Sequence, residues 1–190
     1  MTYVLRALIP VLWILWLVYW IAMARATKET ARRESLASRL SHHVLLLAGG
    51  ISLGAPHILG PTLEASFHDR SSWWLLMAIA LVAAGLGFSV AARTWLGRNW
   101  SAEVTIKSNH ELVRSGPYAL VRHPIYSGVV LALCGTALAI GNGRAVVGLV
   151  LLVAGFVQKL RIEERFMTEQ FGEAYAQYRT EVPALVPYLV

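Results

Sequence analysis

A single cysteine, Cys134, in 190 residues leaves no disulfide framework and no thiol cluster for a metal. Charge is scarce too, at 15% of residues against about 25% in soluble domains. His42, His43, His57, His68, His110 and His123 show no HExxH or comparable ligand spacing, so no metal is expected. The chain also lacks a GxGxxG turn after a strand, a strand-helix alternation for a Rossmann sheet, a P-loop, a GxSxG elbow and kinase motifs. Any nucleotide-like cofactor must then be held by another architecture. Nothing repeats at a fixed period, and the polar connections are too short for a second domain, so residues 1–190 read as one domain.

What the chain has instead is apolar sequence: 56% of residues are hydrophobic and the mean hydropathy is +0.54. Five apolar stretches stand out, approximately Leu5 to Ala24, Val44 to Leu59, Trp73 to Ala92, Tyr126 to Ile140 and Ala145 to Gln158. The first and third match the roughly 20 residues that cross a bilayer. The last two are short and predict a helical hairpin around Gly141-Asn142-Gly143-Arg144. The expectation is an all-α, multi-pass integral membrane protein of about five transmembrane helices.

Cytoplasmic loops are enriched in Lys and Arg, and here the basic residues group. Arg25, Lys28, Arg32, Arg33 and Arg39 fall in the first loop, Arg93, Arg98, Lys107, Arg114 and Arg122 in the third, and Lys159, Arg161, Arg165 and Arg179 after the last span. Only Arg6, Arg70 and Arg144 remain for the other side. Five spans with the N-terminus outside and the C-terminus cytoplasmic satisfy this division, so the net charge of +6 reads as a topology signal and not as nucleic-acid binding. Ala22-Met23-Ala24 resembles a signal-peptide cleavage site. The length of the preceding stretch, its Trp13, Trp16, Tyr19 and Trp20, and the basic loop that follows favour a retained span. Gly49-Gly50, Gly85, Gly87, Gly128, Ala132 and Gly135 punctuate the spans where close helix approach in lipid is expected.

The longest polar connection runs from Arg93 to His123, the natural place for function on a membrane scaffold. Val104 and Ile106 alternate with Thr105 and Lys107 before a Ser108-Asn109 turn and Leu112-Val113, which predicts a short β-hairpin at the membrane surface. The segment from His110 to Gly128, HELVRSGPYALVRHPIYSG, concentrates a histidine, a carboxylate and a Gly-Pro-Tyr turn before an Arg-His-Pro helix start. His123 before Pro124 is pushed toward extended backbone, and Pro124 suits the first helical position. The free N–H groups of that helix end would suit a carboxylate or phosphate, with Arg122, His123 and Tyr126 around it. The alternative is a His-Pro pair that only marks the membrane boundary, with Tyr118 and Tyr126 as interface aromatics.

A second constellation lies between Gln158 and Pro183. At helical spacing, Phe156, Leu160, Met167, Phe171, Ala174 and Tyr178 share one apolar face, with Lys159 and Glu163 on it and Arg161 and Arg165 opposite. This predicts a C-terminal amphipathic helix. A charged carboxylate at such a position costs about 2.5 to 3.5 kcal/mol in a membrane core, so it should be compensated. Either Lys159 pairs with Glu163 at i, i+4, or Glu163 holds a positively charged ligand group and Lys159 meets a negative substrate. Glu163 and its neighbour Glu164 diverge by about 100° and are not expected to face each other.

The run GRNWSAEVTIKSNHELVRSGPYALVRHPIYSG, with the later EE, FG, YAQY and VP elements, resembles the isoprenylcysteine carboxyl methyltransferase family of integral membrane methyltransferases and its phospholipid methyltransferase relatives. The similarity covers residues 97–187. It implies S-adenosylmethionine as methyl donor, S-adenosylhomocysteine as product, and a lipid-like or prenylated acceptor entering from the bilayer. By motif position, Glu103, His110, Glu111, Leu112, Val113, Tyr118, His123, Pro124, Ile125, Tyr126 and Glu163 would bind the cofactor, and Lys159 and Glu164 would face the substrate. Lys159 stands where family members often carry an arginine, and Glu103 where the eukaryotic enzyme has a glutamine. The implied activity is methylation of an isoprenylcysteine-like carboxylate. Methylation of a phospholipid or other lipid-like acceptor is the alternative, and an NADPH-dependent membrane reductase or a non-enzymatic scaffold are the distant rivals.

Overall fold

The structure, a computed structural model, describes residues 2–24, 30–68, 71–97, 100, 105–107 and 112–187. In chain order they form α1 (Thr2–Met23), β1 (Thr30–Arg33), α2 (Leu36–Gly54), a 3-10 turn (Pro61–Glu64), α3 (Ser72–Leu96), β2 (Thr105–Lys107), α4 (Pro117–Leu120), α5 (Pro124–Ile140), α6 (Gly143–Phe171) and α7 (Glu173–Glu181). Glu103, His110 and Glu111 lie outside the described residues.

Among the described residues three helices are long and apolar enough to cross a membrane: α1 over Leu5–Met23, α3 and α6. The 17 residues of α5 rise about 25 Å, short of a hydrocarbon core of about 30 Å. α2 has 19 residues, but its first two turns, LASRLSHH, are polar. On α1, Ile14, Leu15, Leu17, Val18 and Ile21 are exposed, the surface of a helix made to face lipid rather than water. Its other side is pinned by polar contacts: the indole N–H of Trp13 donates to Thr136 at 3.0 Å and that of Trp16 to Ser89 at 2.7 Å.

Two helix pairs organise the bundle, α3 with α5 and α2 with α6. The expected neighbours α5 and α6 are joined by a tight turn, where Gly141 adopts φ +66 and the Asn142 side chain caps α6 by accepting the Ala145 N–H at 3.1 Å. Each nevertheless packs mainly along a helix distant in sequence. Small residues decide this, since a Cβ on Gly85 would land on the Gly128 carbonyl oxygen and one on Gly128 would meet that of Gly85. In lipid, close backbone approach supplies the association that apolar burial supplies in water. Gly128→Leu should therefore cost about 1–3 kcal/mol from overpacking, read as a lowered melting temperature in detergent. Gly87→Leu, which meets open space, should leave it nearly unchanged.

Two expectations are modified. β2 pairs antiparallel with β1 from the first loop, Arg33 opposite Thr105 and Thr30 opposite Lys107, with an irregularity between Thr30 and Arg32, while the turn of the expected hairpin lies outside the described residues. The 104–107 alternation marked a strand, but its partner lies about 70 residues back. The C-terminal amphipathic helix is also not continuous, because Gly172 at φ +52 ends α6 and starts α7 in a new direction. Only glycine enters that backbone region without strain. The break puts Tyr175 and Tyr178 inside and leaves Ala174 exposed, although it had been placed on the apolar face.

Candidate active site

The site forms where the N-terminal end of α5 meets α6 beyond its apolar part. Pro124 is fully buried at the first position of α5, and the two residues before it are strapped to the C-terminal segment. The N–H groups of Arg122 and His123 donate to the carbonyls of Pro183 and Ala184 at 2.8 and 3.0 Å, and the Ser127 hydroxyl donates to the carbonyl of Leu185 at 2.5 Å. The VP element after α7 is thus a backbone splint on the Arg-His-Pro turn. Below it, the Tyr178 hydroxyl donates to the Tyr118 carbonyl at 2.5 Å, and burial pushes its own pKa up to about 12. Burial, aided by the charge of Glu163, holds the Tyr118 phenol well above its ordinary value, so it stays neutral.

From α6, Phe156, Lys159 and Glu163 follow helical spacing and face α5. The Tyr126 hydroxyl donates to Glu163. The Tyr126 ring is nearly parallel to that of His123, centroids 5.8 Å apart at 12°, and lies 5.4 Å from that of Phe156. Lys159 Nζ sits 5.6 Å from the centre of the Tyr126 ring, so cation, ring and carboxylate are gathered in one place. Leu112, Val113 and Ile125 are partly buried.

One imidazole joins the two adjacent carboxylates. His123 Nδ1 is 3.6 Å from Glu163 and its Nε2 is 3.3 Å from Glu164, although the two glutamates leave the helix at different angles. Their surroundings differ. The Glu164 side chain is 11% exposed and held at one oxygen: Arg122 reaches its Oε1 with two nitrogens, at 2.8 and 2.7 Å, and Arg179 approaches its Oε2 at 3.6 Å. Arg122 also donates to the carbonyls of Arg179 and Val182. Glu163, at 24% exposed, is the more open of the pair. Glu164 therefore anchors α5, α6 and α7 to one another, and Glu163 keeps the more exposed oxygen surface.

Burial by itself would lower the pKa of His123, but hydrogen bonds and charge from Glu163 and Glu164 outweigh it and leave the imidazole raised above its ordinary value. A group raised on folding stabilises fully below its unfolded value and loses that contribution as the pH climbs through the folded one. The melting temperature should thus decline as the pH rises from 6 through that elevated value. In His123→Gln the decline should flatten, and an unchanged profile in the variant would remove His123 as its source.

Arg179 and the splint of residues 182–185 were not foreseen as site components. The VP element was their only signal, and it does not say what it packs on. Also unforeseen is a buried pair at the start of α2, where His42 is fully buried and its Nε2 lies 3.8 Å from a Glu34 carboxylate that is 3% exposed. His42 Nδ1 faces the Ser38 carbonyl at 3.1 Å, and its backbone carbonyl lies against Gly155 of α6.

The family model described as phospholipid methyltransferase matches residues 73–174. Among curated proteins, the chain is 27% identical over 124 residues to protein-S-isoprenylcysteine O-methyltransferase B of Arabidopsis thaliana, covering 63% of each chain. It is 33% identical over 115 residues to the protein-S-isoprenylcysteine O-methyltransferase of Schizosaccharomyces pombe, covering 59% of this chain and 49% of that one. It is also 33% identical over 125 residues to a cobalt-zinc-cadmium resistance protein of Cupriavidus metallidurans, covering 64% and 56%. The chain thus spans about half to two thirds of the length of these relatives. Among solved structures, a eukaryotic intramembrane Ras methyltransferase, isoprenylcysteine carboxyl methyltransferase, shares the fold with a TM-score of 0.57 and 23% identity over 78% of this chain and 53% of the other.

Proposed function

The chain belongs to the phospholipid methyltransferase family, and from that membership we propose that it is a membrane-embedded, S-adenosylmethionine-dependent methyltransferase whose acceptor is the carboxylate of an isoprenylcysteine-like amphipath. The supporting observation is the division of labour between two adjacent carboxylates, Glu164 held by the Arg122 fork and Glu163 partly open beside Tyr126 and Lys159.

Glu163 suits the ammonium of the donor, and the Tyr126 hydroxyl and His123 hold its carboxylate in place. Tyr118, Leu112, Val113, Pro124 and Ile125 would form the remaining described walls. Lys159 would meet the negative charge of the acceptor, its own charge held over the Tyr126 ring. When bound, the donor would supply a sulfonium methyl group, whose transfer to the acceptor oxygen breaks the carbon–sulfur bond and releases a neutral thioether. An ionised carboxylate attacks through oxygen without losing a proton, so what the protein contributes is alignment and exclusion of water. His123 fits that role, because both its ring nitrogens face carboxylates and its raised pKa disfavours service as a free base. In this reading the N-terminus is outside, the C-terminus is cytoplasmic, and the acceptor arrives between helices from the bilayer. Several relatives carry isoprenylcysteine methyltransferase names, which favours that acceptor over a phospholipid amine.

Tritium transfer from labelled S-adenosylmethionine to synthetic prenylcysteine, compared with transfer into extracted lipid, tests the reading. A base-labile product on prenylcysteine is the expected outcome. A base-stable product in the lipid fraction would assign nitrogen methylation instead, and no transfer to either would remove the enzymatic reading.

A further inference from the structure

We propose that the groove between α6 and α7 binds the phosphate of an anionic membrane-lipid headgroup, at a place separate from the methyl-transfer chamber. The proposal does not depend on the methyltransferase reading. The break at Gly172, φ +52, redirects the chain so that Arg179 of α7 faces the side of α6 that carries Arg161 and Arg165. Between them lies an open groove of about 470 Å³ lined by Arg161, Glu164, Arg165, Thr168, Glu169 and Arg179.

The charges of this groove are unequally satisfied. Arg161 and Arg165 are exposed and one helical turn apart, and among the described residues neither makes a hydrogen bond or ion pair. The Arg179 side chain is 49% exposed, and among the described residues the carboxylate nearest to it is that of Glu164 at 3.6 Å, beyond hydrogen-bonding range. Glu164 attracts it weakly because the far side of that carboxylate is already held by Arg122 and His123. With Glu164 neutralised from behind, three guanidinium groups face one further carboxylate, Glu169. The groove is therefore cationic. Guanidinium forks match phosphate oxygens two at a time, and here two such forks one turn apart line one groove with a third.

Position argues for a lipid as the source of that phosphate. α6 is continuous from its apolar stretch into the groove. Arg161 and Arg165 follow the end of that stretch at Gln158 by about 5 and 10 Å along the axis at 1.5 Å per residue. That is the depth of the headgroup layer beside a hydrocarbon core. It is also on the side where Lys and Arg accumulate, and anionic headgroups attract juxtamembrane basic residues. The groove lies across Glu164 from Glu163 and Tyr126, so a lipid seated there would be a bound partner of the α6–α7 corner and not a methyl acceptor.

The test is native mass spectrometry of the full-length protein in detergent, titrated with dioleoyl phosphatidylglycerol, with dioleoyl phosphatidylcholine, and with inorganic phosphate as competitor. Phosphatidylglycerol is expected to bind at least tenfold more tightly than phosphatidylcholine. In R161Q/R165Q its Kd should rise about tenfold or more, with R161K/R165K intermediate because a point charge replaces a fork. The control R6Q, which removes a basic residue of α1, should match the parent. R161Q/R165Q should bind S-adenosylhomocysteine like the parent, whereas E163Q should keep phosphatidylglycerol; these two results separate the groove from the cofactor chamber. Equal binding of the two lipids, or an unchanged Kd in R161Q/R165Q, would overturn the proposal. Displacement of phosphatidylglycerol by millimolar inorganic phosphate would overturn the lipid assignment and leave a site for a soluble anion.

Discussion

In Glu163→Gln, affinity for S-adenosylhomocysteine should fall about a hundredfold or more by titration calorimetry, with the fold intact. The substitution keeps the shape of the side chain, so the Tyr126 hydroxyl retains an acceptor and its ring keeps its contacts with Phe156 and Lys159. What disappears is the negative charge proposed to face the cofactor's ammonium in a largely enclosed site. Removing one member of such a pair typically costs about 3 kcal/mol or more, which is two powers of ten in a binding constant. Glu164→Gln should behave differently, because its Oε1 already serves Arg122 and His123. It should lower stability more than affinity. If Glu163→Gln binds within threefold of the parent, the carboxylate does not hold the cofactor and the proposed chamber loses its anchor.

The second large effect is structural. Arg122 bonds Glu164 through two nitrogens and also donates to the carbonyls of Arg179 and Val182, so one side chain joins α5, α6, α7 and the C-terminal splint. Arg122→Ala leaves Glu164 buried with the nearest remaining cations less well placed, and should cost about 3–5 kcal/mol. A melting curve in detergent would show it as a large downward shift. Arg122→Lys should recover only part, since an ammonium cannot reproduce the fork. The decisive comparison is Arg122→Ala/Glu164→Gln, which removes the orphaned charge and should be more stable than Arg122→Ala alone. Equal stability of the two would show that the ion pair is not what couples these elements.

Much of this protein follows from local rules. Composition and hydropathy determined a helical membrane scaffold, since lipid offers no partner for backbone polar groups and forces each spanning segment to bond within itself. Pro124 determined where α5 starts, for proline is preset for a helix's first turn, where its missing N–H costs nothing. The motif around His123 and the acidic pair after the last span also marked groups that come together in the structure, because a histidine and carboxylates at the end of an apolar helix are costly without partners.

Partnership itself was beyond the sequence. Strand β2 chose a partner in the first loop, α5 and α6 each packed along a distant helix, and Gly172 turned a predicted continuous helix into a corner. Helical angles alone placed Glu163 and Glu164 on different faces, and they do leave the helix apart. It is the third body, His123 on another element, that brings them into one network, and Arg122 with the 182–185 splint decides which of the two stays open. Period and turn chemistry act within a few residues of one another and can be read along the chain. Charge compensation acts between residues 42 to 60 apart, close helix approach brings together residues as distant as Gly49 and Gly148, and only the folded arrangement settles them.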